Sequence, residues 1–214
     1  MDSVFLSAHV KSEKAKKLLD IGTGSGIMAI ILASKYPDIH ITGVEIQKEL
    51  ASIAQGNVIL NHMEKNVSIL EKDIKQTEIY HMNGAQDIII ANPPYRETGS
   101  FRINPNKQKA IARHEIKLSL DELAKSVKKF LSSHGEFYMI YPAERLSNLI
   151  STLCQYKIEP DEIRFIHIQK NAVAKRVIIK CINNGGQSVQ VLPPLYVYGK
   201  GGTWSNEVAE MFNT

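Results

Sequence analysis

The first half of the chain alternates short apolar runs with longer segments of mixed polarity. Lys17–Ile21 is a compact apolar run that stops at a glycine-rich turn, the pattern of a buried strand. From Ser25 to Tyr36 the apolar positions Ile27, Ile30 and Ile31 recur at helical spacing, and Pro37 ends the segment. Ile39–Val44 predicts a second strand. Ile46 to about Asn61 predicts a helix with Ile46, Leu50, Ile53 and Ala54 on its inner face, weakened at Gly56. Val67–Leu70 predicts a third strand, ending near Asp73. Asp87–Ala91, with three consecutive isoleucines, predicts a fourth that is buried on both faces.

Residues 96–115 are polar and without clear periodicity. They are too many for an ordinary connection, which points to a functional or mobile segment. Ser119 and Glu122 have the spacing of a capping box and open a helix that reaches about Ser132. Glu136–Tyr141 predicts a fifth strand and Ala143–Tyr156 a further helix. Ile163–Ile168, Val177–Ile182 and Val189–Leu192 are later strand-like runs, the last following an Asn184-Gly185-Gly186 turn.

Strand and helix alternate through the first five strands, which predicts an α/β fold with a doubly wound, mostly parallel sheet. The last three runs lack a long helix between them, so an antiparallel hairpin is expected to complete the sheet edge. No repeat and no composition shift divides residues 1–214, so a single domain is expected.

Composition changes little in this picture. With 43% hydrophobic and 22% charged residues, the chain has the balance of a soluble globular protein. No apolar run approaches the ~20 residues of a membrane span. Met1 to Ala8 lacks the basic start and apolar stretch of a signal peptide. Cys154 and Cys181, the only cysteines, form no metal-like cluster and are read as reduced, buried thiols. No metal site is expected. The expected location is the cytoplasm and the expected state a monomer.

Charge is more informative in its distribution than in its net value of +4. No Asp or Glu occurs from Ile163 to Asn206, whereas Arg164, Lys170, Lys175, Arg176, Lys180 and Lys200 do. A second basic stretch carries Arg96, Arg102, Lys107, Lys109, Arg113 and Lys117 against Glu97 and Glu115. Such surfaces attract polyanions such as nucleic acid, or are simply solvated runs of charge.

Candidate chemistry starts at the turn after the first strand, Asp20-Ile21-Gly22-Thr23-Gly24-Ser25-Gly26. Glycines there let a ligand approach the backbone closely. A dinucleotide loop needs G-x-G-x-x-G, and its third glycine would fall on Ile27. The spacing here is G-x-G-x-G, with an acid two residues ahead. It resembles motif I of class I S-adenosylmethionine-dependent methyltransferases, whose loop passes the methionine half of the cofactor. The resemblance assigns Asp20, Gly22, Thr23, Gly24 and Gly26 to cofactor binding. Glu45, after the second strand, stands where an acid accepts hydrogen bonds from ribose hydroxyls. Asp73, after the third, stands where that family's acid meets the adenine amino group.

Asn92-Pro93-Pro94-Tyr95 directly follows the fourth strand, on the side where open parallel sheets bind ligands. Two prolines stiffen the backbone and remove two N–H donors, so the carbonyls are presented without competing donors. An exocyclic amine or an amide is a poor nucleophile because its lone pair is delocalised. Hydrogen bonds from its N–H groups to Asn92 Oδ1 and the Pro93 carbonyl favour a pyramidal nitrogen aimed at a methyl donor. Positioning and local electrostatics then supply most of the catalysis. Tyr95 can stack on a planar substrate, a contact worth ~1–3 kcal/mol for a base.

Together these residues resemble the amino-methyltransferases with an Asn-Pro-Pro-Tyr motif. More narrowly, the chain resembles the bacterial tRNA1(Val) adenine-37 N6-methyltransferases along nearly its full length. The resemblance includes Asp2-Ser3-Val4-Phe5-Leu6 as an upstream cofactor motif, Leu19 to Gly26, Asn92 to Tyr95, Ala112 to Glu115 and Pro193 to Tyr198. It implies a Rossmann-like, seven-stranded sheet, S-adenosyl-L-methionine as cofactor and tRNA as partner. Relatives usually carry a further stretch ahead of the upstream motif, so a short N-terminal segment is expected to be lacking. Arg113 and His114 match the family after the motif: they contact RNA phosphate or shape the base pocket, or they cap the following helix and face solvent. Methylation of a protein glutamine amide, methylation of rRNA or DNA, and an inert RNA-binding module on the same fold remain as alternatives.

Overall fold

The computed structural model describes residues 1–12, 14–93 and 118–212. Its elements, in chain order, begin with α1 (Asp2–His9), β1 (Lys17–Ile21), α2 (Ile27–Lys35), β2 (His40–Glu45), α3 (Lys48–Leu60), β3 (Val67–Glu71) and β4 (Gln86–Ala91). Then come α4 (Leu120–Phe130), β5 (Leu131–Pro142), α5 (Leu146–Gln155), β6 (Ile158–His167), β7 (Ala174–Asn183), β8 (Gln190–Val191), β9 (Leu195–Tyr196) and α6 (Asn206–Met211). The described strands form one sheet in the order β3-β2-β1-β4-β5-β7-β6-β8, with β9 also on β6. Strands β1 to β5 are mutually parallel, and β7 lies antiparallel between β5 and β6. The α/β class, the parallel first five strands and the antiparallel C-terminal hairpin are those read from the sequence.

Each central strand is apolar on both sides because helices cover both faces of the sheet. Leu19, Ile21, Ile89 and Phe137 pack under Leu123, Val127, Leu149 and Leu153 of α4 and α5. Leu18, Ile88, Ile90 and Tyr138 pack under Phe5 and Leu6 of α1 and Met28 and Leu32 of α2. The three consecutive isoleucines thus serve two cores. Ser119 caps α4 in the expected box: its hydroxyl accepts from the Glu122 N–H, and the Glu122 carboxylate accepts from the Ser119 N–H.

Several expectations are corrected. Among the described residues seven long strands are present, and two strands of two residues bring the total to nine. The predicted Val189–Leu192 strand shrinks to Gln190–Val191 and runs parallel to β6 instead of joining the hairpin. Both residues are exposed, so burial does not extend the strand, and Pro193 and Pro194 end its donors. In α2 the buried face is Met28, Ala29, Leu32 and Ala33, and Ile27 is exposed. In α3 it is Ala51, Ala54 and Val58, and Ile53 is exposed. Small residues face the sheet in both because the helices pack closely on it. Helix α1 has no strong apolar periodicity and was not read from the pattern. Cys181 is buried, but Cys154 is only partly so and its thiol donates to Glu159 Oε2 at 3.4 Å.

Candidate active site

The carboxyl ends of β1, β2 and β4 open onto one cavity of about 440 Å³. Gly22, Gly24, Glu45, Asp73, Asn92 and Pro93 all line it, as does Asp2 at the start of α1. A cavity of about 510 Å³ at the opposite end of the sheet, among Lys11, Asp87 and His134, contains none of these residues.

The glycine loop takes its shape from left-handed backbone at Gly22 (φ 72°), Gly24 (φ 58°) and Gly26 (φ 81°). A side chain at Gly22 or Gly24 would meet no atom within 4 Å, so the missing Cβ atoms leave open space beside the cavity. Gly26 differs: a Cβ there would sit 3.2 Å from the Ala54 Cβ, so this glycine lets α2 approach α3 and does not line the cavity. The loop is pinned to β2, since the N–H groups of Gly22 and Thr23 donate to the Val44 carbonyl at 2.8 and 3.1 Å. Gly43 permits this. A Cβ on it would lie 2.9 Å from the Thr23 side chain. An isolated glycine within a strand was the available sequence signal for such a close approach.

Two buried acids lie around this loop. Asp20 is fully buried; its Oδ2 accepts from the Thr23 hydroxyl at 2.7 Å, and its Oδ1 has no hydrogen-bond partner among the described residues. Burial pushes its carboxyl up to about 7, the Glu45 charge adds to the rise, and the Thr23 hydroxyl opposes it. Glu45 accepts the Gly24 N–H at 3.0 Å on one oxygen and the Gln47 N–H at 2.9 Å on the other. Each oxygen retains a further lone pair for a ligand. Asp73 caps the one-turn helix Ile74–Gln76 through the Lys75 N–H at 2.9 Å. Between the acids the wall is apolar, made by Ile46, Leu50, Ile74, Leu118 and Leu123. The sequence reading placed Ile46 and Leu50 only on a helix face.

Asn92 Nδ2 donates to Ser3 Oγ at 3.1 Å. That bond turns the amide nitrogen toward α1 and its oxygen toward another direction. Asp2, one residue earlier, accepts from Arg176 Nε at 2.8 Å. Helix α1 therefore joins the cavity wall to β7. Pro94, Tyr95, Arg113, His114 and the polar segment 96–115 lie outside the described residues. The acid-poor C-terminal stretch is less cationic than its composition suggests. Arg164 pairs with Glu207, Arg176 with Asp2, and Lys180 with Glu136, Asp161 and Glu162.

Residues 1–147 match the model of the methyltransferase small domain family. The chain belongs to this family. S-adenosylmethionine is the methyl donor of this methyltransferase. A relative from Pedobacter heparinus, named tRNA1(Val) (adenine(37)-N6)-methyltransferase, is 31% identical over 201 residues, covering 94% of this chain and 83% of its own. A relative of the same name from Phocaeicola vulgatus is 31% identical over 178 residues, covering 83% and 74%. Among solved structures, a predicted O-methyltransferase from Agrobacterium tumefaciens superposes with a TM-score of 0.77 at 19% identity, covering 100% of the methyltransferase and 96% of that chain. An O-methyltransferase from Brevibacillus brevis bound to S-adenosyl-L-homocysteine has a TM-score of 0.55 at 19% identity, covering 76% and 54%. These likenesses show a shared fold. No helix among the described residues is long and apolar enough to cross a membrane.

Proposed function

We propose that the methyltransferase transfers a methyl group to N6 of an adenine in tRNA, in the anticodon-loop region. The observation that carries this reading is that Asn92 and Pro93, at the end of β4, line the same cavity as the glycine loop. The names of the relatives support the tRNA substrate.

The cavity fits the cofactor by its chemistry. Asp20 is fully buried behind the loop and is not part of the cavity lining, but its Oδ1 lacks a partner among the described residues, which supports a role toward the cofactor's ammonium. The space left by Gly22 and Gly24 would admit the methionine chain, Glu45 would hold the ribose hydroxyls, and Asp73 would accept from the adenine amino group. The apolar wall of Ile46, Leu50 and Leu123 covers the ring. Bound there, S-adenosylmethionine supplies an electrophilic sulfonium methyl.

The residues of the chain do the rest. Asn92 Oδ1 and the Pro93 carbonyl accept the two N–H groups of the target amine, which localises its lone pair. The localised lone pair would then accept the methyl that the bound cofactor supplies, with the thioether as leaving group. The nitrogen's proton becomes acidic as charge develops and leaves to solvent, so no strong base is required beforehand. From the sequence motif, Tyr95 would stack on the base, and Arg113 and His114 would contact RNA phosphate or shape the base pocket. The target must leave its stack to enter, and single-stranded loop bases do so at low cost. One domain carries both cofactor and substrate, acting as a monomer in the cytoplasm with tRNA as partner.

The test is to incubate the protein with labelled S-adenosylmethionine and unmodified total RNA, then digest the RNA to nucleosides. Label in N6-methyladenosine is expected. Label confined to protein overturns the reading.

A further inference from the structure

The hairpin that closes the sheet edge ends beside the cavity. β7 runs antiparallel to β5, with Pro142 opposite Arg176, and β6 returns with His167 opposite Ala174. Its tip, residues 168–173, therefore lies at the same end of the sheet as Asn92. The hairpin base is tied to the cavity wall: Arg176 Nε holds Asp2 Oδ2 at 2.8 Å, and the neighbouring Ser3 bonds Asn92. At ~3.3 Å per strand residue, Val173 stands on the order of 10 Å from Arg176.

Four features mark this tip. Ile168, Gln169, Lys170, Asn171, Val173 and Lys175 are exposed, Val173 to 75%. The tip carries no acid. Arg164, Arg176 and Lys180 of the same stretch are neutralised by carboxylates, whereas Lys170 and Lys175 make no ion pair among the described residues. The turn is also held in one shape, since the Ala172 carbonyl is bonded to His167 Nδ1 at 2.7 Å and the Ala172 N–H donates to the Gln169 carbonyl at 3.0 Å.

We infer that the β6–β7 tip is a docking arm for the phosphate backbone of the RNA strand flanking the target base. This rests on the reading of the substrate as RNA. Lysines spaced along a stiff arm match a regular row of phosphates, and the amides of Gln169 and Asn171 add neutral donors to phosphate or ribose. Ile168 and Val173 offer apolar contact to unstacked bases. An acidic protein would meet the same lysines, but the arm's place at the Asn92 end of the sheet favours the strand that brings the target base there. The arm carries no base-reading geometry. It raises affinity for any RNA that reaches the pocket, leaving the choice of base to the Asn92 site.

The experiment compares the full chain with Lys170→Glu/Lys175→Glu and Lys170→Gln/Lys175→Gln. Binding of fluorescent unmodified tRNA is followed across a salt series, with methyl transfer to the same tRNA and S-adenosylmethionine affinity measured alongside. The glutamine pair should lower the slope of log affinity against log salt by about 1.4, from ~0.7 per phosphate contact on a single strand. KM for tRNA should rise about tenfold, more for the glutamate pair, with kcat within twofold and cofactor affinity unchanged. Wild-type salt slope and affinity in both variants overturn the arm. If wild-type protein methylates no RNA, the substrate reading fails, and the binding series still decides the arm.

Discussion

Asn92 and Ser3 are bonded across 89 positions of sequence, Nδ2 to Oγ at 3.1 Å, which couples the first turn of α1 to the end of β4. The bond fixes which end of the Asn92 amide faces α1. On the proposed reading it thereby sets the orientation in which the amide oxygen accepts from a substrate amine. Ser3→Ala should therefore lower kcat about fivefold, the equivalent of one neutral hydrogen bond of about 1 kcal/mol, with little change in cofactor affinity. Ser3→Thr, which keeps the hydroxyl, should restore most of the rate. Single-turnover transfer assays on the three proteins read this directly, and equal rates for all three would remove Ser3 from any positioning role.

Asn92→Ala should have a larger and cleaner effect. Removing a preorganised polar group that acts on the reacting atoms costs on the order of 10²–10³ in kcat. Calorimetric binding of S-adenosylmethionine should survive, because the glycine loop and Glu45 remain. Loss of cofactor binding together with transfer would mean that Asn92 holds the cofactor as its main task.

The glycines of the loop divide by what surrounds them. Alanine at Gly24 keeps an unfavourable left-handed backbone, costing ~1–2 kcal/mol, and its methyl enters the open space beside the cavity. Gly24→Ala should weaken cofactor binding more than tenfold with a modest fall in Tm. Gly26→Ala meets Ala54 at 3.2 Å instead, so it should lower Tm more and change cofactor affinity less. Thermal melts and calorimetry on the pair decide the matter, and the same ranking in both assays would contradict the division.

This division explains what was legible in the chain beforehand. Left-handed glycines and consecutive prolines are backbone constraints, so Gly22, Gly24 and Pro93 could be read from sequence alone, and the acids one strand apart followed from the topology. Pairings over long separations could not. Nothing in the local pattern ties Arg176 to Asp2, 174 positions away, or shows that Arg164 and Lys180 have carboxylate partners on other elements. Helix α1 escaped for a related reason. Phe5 and Leu6 are anchored by tertiary packing on α2 and the sheet, and a helix of 8 residues has little periodicity to display. Ala54 lies on the inner face as the pattern predicts, but the rest of the α2 and α3 faces differ because close packing on the sheet selects Ala29, Ala33 and Ala51 over the larger Ile27 and Ile53.

Asp20 links cofactor binding to pH. Its folded carboxyl titrates at about 7, against 3.8 for the ordinary group. A raised carboxyl favours the protonated folded state, so the stability it allows is full below pH 3.8 and is lost as pH rises toward 7. Above pH 7 the buried charge costs about 4 kcal/mol to order of magnitude. A cofactor ammonium beside Oδ1 would offset that cost, so binding favours the carboxylate and releases a proton. S-adenosylmethionine affinity should therefore rise about fivefold between pH 6 and 7 and about tenfold by pH 8, levelling off above that. Asp20→Asn keeps an oxygen for the Thr23 hydroxyl and removes the charge. It should raise the Tm of the cofactor-free protein at pH 8 while flattening the pH dependence of cofactor affinity and weakening it overall. Calorimetry in buffers of different ionisation enthalpy counts the released proton. An unchanged pH profile in Asp20→Asn would assign the dependence to another group.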